Sequence, residues 1–264
     1  MAEKMRFSIV APNLNEMPYI KNLFLDSLSN QTFKDFEIII IDGGSTDESI
    51  DAIESYQERL NVKVLIDKTR NIGYIRNVGC KVAAGEILLN TSTDVWFDPS
   101  FLKRLDLFYE EHPKLCALGG KTLPLGSHVP IISRLGYGAF DLLRFLMTCR
   151  FMPIKKLRPT GNFLSIKKSV FDEVGGYPEV RINEDGLLGY KLDRYWLREK
   201  HKSCIFSLKF AIHHHVKRFE KRGGITGIFF YLYVFGLIFP FLKPLLDPIE
   251  RISGEKFSTR SDLK

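Results

Sequence analysis

The stretch Phe36-Glu37-Ile38-Ile39-Ile40-Ile41-Asp42-Gly43-Gly44-Ser45-Thr46-Asp47 runs from an almost unbroken apolar segment straight into a loop. Continuous rather than alternating apolarity predicts a strand buried on both faces, as in parallel sheets. The two glycines permit close backbone approach, and Ser45, Thr46 or Asp47 can cap a following helix. Asp42 sits where a strand ends, so it reads either as an Asx-turn residue or as a carboxylate reaching into a crevice at the sheet edge.

The flanking sequence repeats this logic. Phe7 to Ala11 is a short apolar, β-branched run closed by Pro12-Asn13-Leu14-Asn15. Met17, Ile20, Phe24 and Leu28 then recur at helical spacing, as do Ile50, Ile53, Tyr56 and Leu60 on the other side of the loop. Val62 to Ile66 reads as a third strand, a glycine-interrupted helix follows through Ala84, and Glu86 to Leu89 reads as a fourth strand. Strands alternating with helices predict an α/β chain with a mostly parallel sheet, whose ligands bind beyond the carboxyl ends of the strands. Asp94, in Thr91-Ser92-Thr93-Asp94, occupies the place after the fourth strand that Asp42 occupies after the second. A carboxylate there is either a cap or a hard oxygen ligand for magnesium or manganese. Glu184 and Asp185 precede a helical stripe of Leu188, Leu192, Tyr195 and Trp196, so both fall in a first helical turn, where the helix dipole favours ionised carboxylates.

Charge is uneven along the chain. Through Ser100 there are 10 Lys and Arg against 15 Asp and Glu, and beyond it 28 against 16. An acidic half suited to metal or nucleotide chemistry joined to a basic half facing anionic partners explains the net charge of +7 better than a nucleic-acid surface, for which no reader motif is present. The four cysteines, Cys80, Cys116, Cys149 and Cys204, are scattered and form no zinc or disulfide pattern. Met1 to Arg6 leads into an apolar stretch too short for a secretory signal, so the chain is expected to start in the cytoplasm. Ile131, Ile132, Leu135, Phe140, Leu143 and Leu146 form a helical apolar face with Arg134, Arg144 and Arg150 at its edges, fit for core packing or for a membrane surface. Lys155, Lys156 and Arg158 make a basic run suited to phosphate or to solvent. Ile225 to Leu242 is an uncharged apolar run just short of a membrane span, preceded by Lys217, Arg218, Lys221 and Arg222.

Six blocks in fixed order resemble the family 2 glycosyltransferases. They are Val10 to Glu16, Ile41 to Asp47, Asn71 to Glu86 (with Arg76-Asn77), Thr160-Gly161-Asn162-Phe163, Gly175 to Glu179, and Glu184 to Leu192. The resemblance covers Phe7 to His215. It implies a GT-A, Rossmann-like, mostly parallel sheet flanked by helices over residues 1–215; residues 216–264, beyond the resemblance, are expected from their basic and apolar composition to be membrane-associated. It further implies inverting transfer of a sugar from a nucleoside-diphosphate donor to an acceptor hydroxyl. Pro12, Asn13, Glu16 and Asp42 would hold the nucleoside, with Arg76, Ser92 and Asp94 near the diphosphate. Gly161, Asn162 and Glu184 would line the acceptor site, and Asp185 would be the base, ionised near pH 7.

The family's metal turn carries two Asp residues, and Ser92 replaces the first of them. Asp94 would then hold Mg2+ or Mn2+ with help from the cluster His213-His214-His215, of which His213 and His215 are the candidates taken. The implied partners are a nucleotide sugar and a lipid-linked or polysaccharide acceptor at the cytoplasmic membrane face, with no nucleic acid. Ser92 also motivates a competing reading, a catalytically silent nucleotide-sugar binder of the same fold. A nicotinamide oxidoreductase is disfavoured because Pro12-Asn13-Leu14-Asn15 replaces the glycine-rich phosphate cradle. A nucleotidyltransferase would use a metal and a nucleotide crevice, yet has no use for Glu184-Asp185.

Overall fold

Strand β1 (Phe7–Asn13) is buried apart from the half-buried Pro12, and it pairs in parallel with β2 (Phe36–Asp42), which is buried throughout. Between them a π-helical stretch, Ile20–Leu25, runs into α1 (Asp26–Ser29). The predicted stripe of Ile20, Phe24 and Leu28 does face the core, and the wider π turn brings Leu25 in beside Phe24. Helix α2 (Ser49–Glu54) is shorter than the apolar stripe suggested. The Ser55 hydroxyl donates to the Ala52 carbonyl at 2.7 Å, offering the backbone an alternative to another helical turn, while Tyr56 and Leu60 stay buried. β3 (Val62–Ile66), α3 (Ile72–Val82) and β4 (Ile87–Asn90) complete the expected alternation.

The remaining elements are β5 (Val95–Trp96), α4 (Phe101–Glu111), β6 (Leu115–Leu125), α5 (Ile131–Thr148), β7 (Leu164–Lys167), α6 (Lys168–Glu173), α7 (Glu184–Arg198) and β8 (Ser203–His215). The computed structural model describes residues 5–126, 131–148, 157–180, 183–199 and 201–215. The expectations for 216–264, including the apolar run 225–242, and for Arg150, Lys155 and Lys156 lie outside the described residues. No described helix is long and apolar enough to cross a membrane.

The eight strands lie in the order β3-β2-β1-β4-β7-β6-β8-β5. The first four are mutually parallel, whereas β7 runs antiparallel to both β4 and β6, and β5 antiparallel to β8. The sheet is therefore parallel in its N-terminal half and mixed beyond it, less uniformly parallel than the alternating pattern suggested. In the second half a helix between strands no longer goes with parallel pairing: α5 joins β6 to β7, which pair antiparallel, while β6 and β8 are parallel. β4 and β5 are separated by Thr91 to Asp94 in sequence and by four strand spacings in the sheet order. A flat sheet would set them ~19 Å apart, beyond the reach of about 18 Å for a fully stretched link, so the sheet curls.

Apolar packing fills both faces. Phe24, Phe97, Phe101 and Phe163 lie on one side with Ile9 and Ile38, and Leu164, Leu188, Leu192 and Trp196 on the other with Val10 and Ile39. α3 approaches this second face closely because residue 79 is glycine: a Cβ there would stand 2.5 Å from Ile41 Cδ1 and 2.6 Å from Val10 Cγ1. Those contacts bring Arg76, one turn earlier, over the carboxyl ends of the strands.

Candidate active site

On the N-terminal side, Asp42 is fully buried rather than open to the crevice. Its Oδ1 accepts the Gly44 and Ser45 amides at 2.8 and 2.7 Å, and its Oδ2 accepts Ser45 Oγ at 2.6 Å and Asn13 Nδ2 at 2.7 Å. Both oxygens are thus saturated, and the carboxylate shapes the loop from within. Gly44 takes φ +88°, a conformation that glycine adopts without strain. Asn13 Oδ1 accepts Thr93 Oγ1 at 3.1 Å, so this buried amide joins the Asp42 loop to the turn after β4. The loops after β1 and β2 are further tied by the Glu16 amide donating to Ser49 Oγ at 3.1 Å and the Thr46 amide to Asn15 Oδ1 at 2.7 Å. Pro12 and Glu16 are both half-buried beside this frame.

In the turn after β4, Ser92 Oγ lies 2.7 Å from Asp94 Oδ1 and 3.1 Å from Asn162 Oδ1. Asp94 Oδ2 lies 3.4 Å from His214 Nε2. Burial opposes ionisation of Asp94, but His214 and the Ser92 hydroxyl outweigh it and hold the carboxyl below the usual range. The imidazole placed 3.4 Å from the Asp94 carboxylate is that of His214, where the sequence reading took His213 and His215. The β5–β8 register pairs Val95 with His214 and Trp96 with His213, which puts the His213 ring against Trp96 at 5.2 Å. The His215 ring packs on Tyr19 at 4.3 Å. Among the described residues, no group of three or more His, Cys, Asp or Glu side chains is placed to hold a metal ion. One carboxylate and one imidazole make a two-ligand set of the kind completed by substrate phosphates and water, with the nitrogen suiting manganese better than magnesium.

Across the crevice, Glu184 and Asp185 open α7 as expected, after Asn183 at φ 72°. Arg76 is 3% exposed and gathers the site around it. Its Nε donates to Glu184 Oε1 at 3.3 Å, Nη1 to the Thr91 carbonyl at 3.0 Å and Nη2 to the Gly161 carbonyl at 2.8 Å. A methyl at Gly161 would stand 3.0 Å from Arg76 Nη2, 3.8 Å from Asp185 Oδ2 and 3.9 Å from Glu184 Oε1, which shows how closely these groups converge. Asp185 Oδ1 accepts the Gly186 amide at 2.7 Å. Burial pushes Glu184 up to about 7, with Asp185 adding to the effect and Arg76 opposing it. Asp185 is also raised by burial, against the Gly186 amide, Arg76 and Arg144. The helix dipole was expected to favour ionised acids here; desolvation reverses that sign.

Two cations assigned from sequence to helix edges or solvent are interior. Arg144 is fully buried; it pairs with Asp141 at 3.1 Å, donates to the Arg158 carbonyl at 2.7 Å and lies 4.3 Å from the Phe206 ring centroid. Arg158 pairs with Asp193 at 2.8 Å. The spacing of Asp141 and Arg144 was a readable signal for the first pair. Nothing local announced the second.

The family model for "Glycosyl transferase family 2" matches residues 8–175, which takes in the Asp42 loop, Arg76, Asp94 and Gly161. The chain belongs to this family. It is 37% identical over 130 residues to the poly(ribitol-phosphate) β-N-acetylglucosaminyltransferase TarS of Staphylococcus aureus, covering 46% of this chain and 22% of TarS. It is 33% identical over 143 residues to a PGL/p-HBAD biosynthesis glycosyltransferase of Mycobacterium tuberculosis, covering 53% of this chain and 54% of that protein. The chain thus spans about a fifth and about half of these relatives' lengths. Among solved structures, TarS 1–349 in complex with UDP-GlcNAc superposes with TM-score 0.61 at 25% identity, over 81% of this chain and 59% of that one. The mannosyltransferase PcManGT of Pyrobaculum calidifontis, in complex with GDP-Man and Mn2+, gives TM-score 0.66 at 18% identity, over 88% of this chain and 62% of that one. The likeness to PcManGT is one of fold, and this family 2 glycosyltransferase shares its GT-A architecture.

Proposed function

We propose that this glycosyltransferase moves a sugar from a nucleoside-diphosphate donor to an acceptor hydroxyl with inversion at the anomeric carbon, and that Asp185 is the general base. The acceptor oxygen attacks the anomeric carbon while its proton passes to Asp185. The bond from that carbon to the diphosphate oxygen breaks, and the nucleoside diphosphate leaves with the electron pair. The observation that carries this reading is the reach of Arg76, whose three hydrogen bonds tie the turn bearing Asp94 to the helix bearing Asp185. The groups serving the leaving group and the nucleophile are thereby held in one rigid frame.

Asp94 and His214 would hold a divalent ion, which supplies charge neutralisation for the departing diphosphate. The Asp42 loop, with Pro12, Asn13 and Glu16 around it, would cradle the nucleoside, and the UDP-sugar and GDP-sugar complexes of the structural neighbours support a nucleotide sugar as donor. Gly161 and Asn162 would line the acceptor side. Residues 216–264, with Lys217, Arg218, Lys221 and Arg222 ahead of the run 225–242, would attach the protein to the cytoplasmic membrane face and favour a lipid-linked acceptor.

Incubation with a panel of nucleoside-diphosphate sugars and Mn2+, reading release of free nucleoside diphosphate, tests the reaction. Release from one donor supports it. Tight binding with no release on any donor, with or without lipid-linked acceptors, overturns it in favour of the silent binder that Ser92 motivates.

A further inference from the structure

Leu157, Arg158 and Pro159 form a buried stretch without regular secondary structure that leads into Thr160-Gly161-Asn162. Buried backbone outside helices and strands must find its hydrogen-bond partners elsewhere. Here charged side chains supply them. The Leu157 amide donates to Asp193 Oδ1 at 3.0 Å, the Leu157 carbonyl accepts Arg158 Nη1 at 2.9 Å, and the Arg158 carbonyl accepts Arg144 Nε at 2.7 Å. At the other end the Gly161 carbonyl accepts Arg76 Nη2 at 2.8 Å.

Helix α7 runs alongside this stretch and meets it at three levels, one turn apart. At the first, Asp185 Oδ2 stands 3.8 Å from where a Cβ on Gly161 would lie. At the second, a Cβ on residue 189 would stand 2.7 Å from the Leu157 carbonyl oxygen and 3.0 Å from Pro159 Cδ, so glycine is what lets the helix come this near. At the third, Asp193 takes the Leu157 amide on Oδ1 and Arg158 Nη1 on Oδ2, the latter at 2.8 Å. Positions 185, 189 and 193 follow one i, i+4, i+8 row of a helix, and residues 157 to 161 climb that row against the direction of α7.

The lengths match closely. Asp185 and Asp193 are about 12 Å apart along the axis at about 1.5 Å per residue. The four steps from Leu157 to Gly161 reach at most ~14 Å when fully stretched. The stretch therefore has little slack, and Pro159 with its fixed φ removes more of it. A displacement of Leu157 is passed on to Gly161.

We propose that Asp193 is a positioning residue for the transfer reaction. It sets the register of residues 157–161 along α7, and with it the place of Gly161 beside Asp185, where the attacking oxygen must come within reach of the base. The inference deepens the reading of Asp185 as general base with Gly161 on the acceptor side, and rests on it. A buried ion pair kept for stability alone can be exchanged for apolar side chains at little cost, whereas a register clip cannot.

The test compares the full chain with two variants. Arg158→Met/Asp193→Leu exchanges the buried pair for apolar side chains, and Gly189→Ala keeps the pair but drives a methyl against the Leu157 carbonyl. Each is measured for thermal unfolding, affinity for UDP and GDP with Mn2+ by calorimetry, deuterium uptake of the peptide 157–163, and release of nucleoside diphosphate from a panel of UDP- and GDP-sugars. Both variants should stay folded and bind nucleoside diphosphate as the parent does, while uptake over 157–163 quickens at least about 10-fold and kcat falls at least about 10-fold. If the double variant does not fold, Gly189→Ala decides by the same readouts. Unchanged uptake overturns the register role of Asp193. Quickened uptake with kcat at or above that of the parent overturns its use in the reaction, and so does a loss of nucleotide affinity that matches the loss of kcat. A parent that releases nucleoside diphosphate from no donor overturns the glycosyl-transfer reading and this proposal with it; a parent that turns over beside variants of equal kcat overturns this proposal alone.

Discussion

Arg76 Nε lies 3.3 Å from Glu184 Oε1 with both side chains buried, and the same guanidinium holds the Thr91 and Gly161 carbonyls. Lysine at this position keeps the charge but cannot make the three-way fork. Arg76→Lys is expected to lower kcat at least about 10-fold through misplacement of Asp185, with a smaller change in donor KM. Steady-state kinetics decide this, and an unchanged kcat would remove Arg76 from the positioning role.

Asp185→Asn preserves size and removes basicity. Turnover should fall on the order of 10²- to 10⁴-fold, with nucleoside-diphosphate affinity by calorimetry nearly unchanged. A loss of affinity matching the loss of turnover would assign Asp185 to the donor site.

The raised Glu184 gives folding stability a definite pH slope. A carboxyl whose folded pKa lies above its unfolded value favours the folded state while protonated. Its contribution is complete below its ordinary value near 4.3 and is lost as pH rises through about 7. Thermal unfolding in chelator should therefore show a decline over that window which Glu184→Gln flattens. An identical slope in the variant would contradict the burial effect.

For the metal, Asp94→Asn and His214→Ala should each weaken manganese binding, measured directly by calorimetry in the presence of nucleoside diphosphate, whereas His213→Ala should not. Ser92→Asp, which adds a second carboxylate to the turn, should keep or tighten binding. The opposite ranking of His213 and His214 would reject the 3.4 Å Asp94–His214 contact as the protein's share of the metal site.

The Arg144–Asp141 pair separates burial from charge. Arg144→Met alone strands a buried carboxylate, already pushed up to about 6, and should destabilise by roughly 3–5 kcal/mol. The double change Arg144→Met/Asp141→Leu should recover most of that loss, as measured by urea denaturation.

The strand from Phe36 was legible because a near-continuous apolar run admits few other structures, and Glu184-Asp185 because the stripe behind them is long and regular. Which histidine meets Asp94 was not legible. It is set at the end of the β5–β8 ladder, where the His215 amide donates to the Asp94 carbonyl across more than a hundred residues of sequence. Arg144 and Arg158 resisted reading for a different reason: a lysine or arginine is counted as solvated until its partner is known, and Asp193 lies far from Arg158 in the chain. Asp42 stands out in the sequence by position, but its fourfold hydrogen bonding follows from loop coordinates that a spacing pattern does not contain.

The curl that returns β5 to the neighbourhood of β4 has a consequence for synthesis. β5 gains its partner only when residues 213–215 exist, so a nascent chain that has already left the ribosome through Asp94 still lacks the strand that shapes the turn. The frame around Asn13 and Asp42 can assemble early from local strand–helix units. The Asp94–His214 pairing must wait for the last described strand, and a polypeptide stopped anywhere before His214 would carry the frame without it.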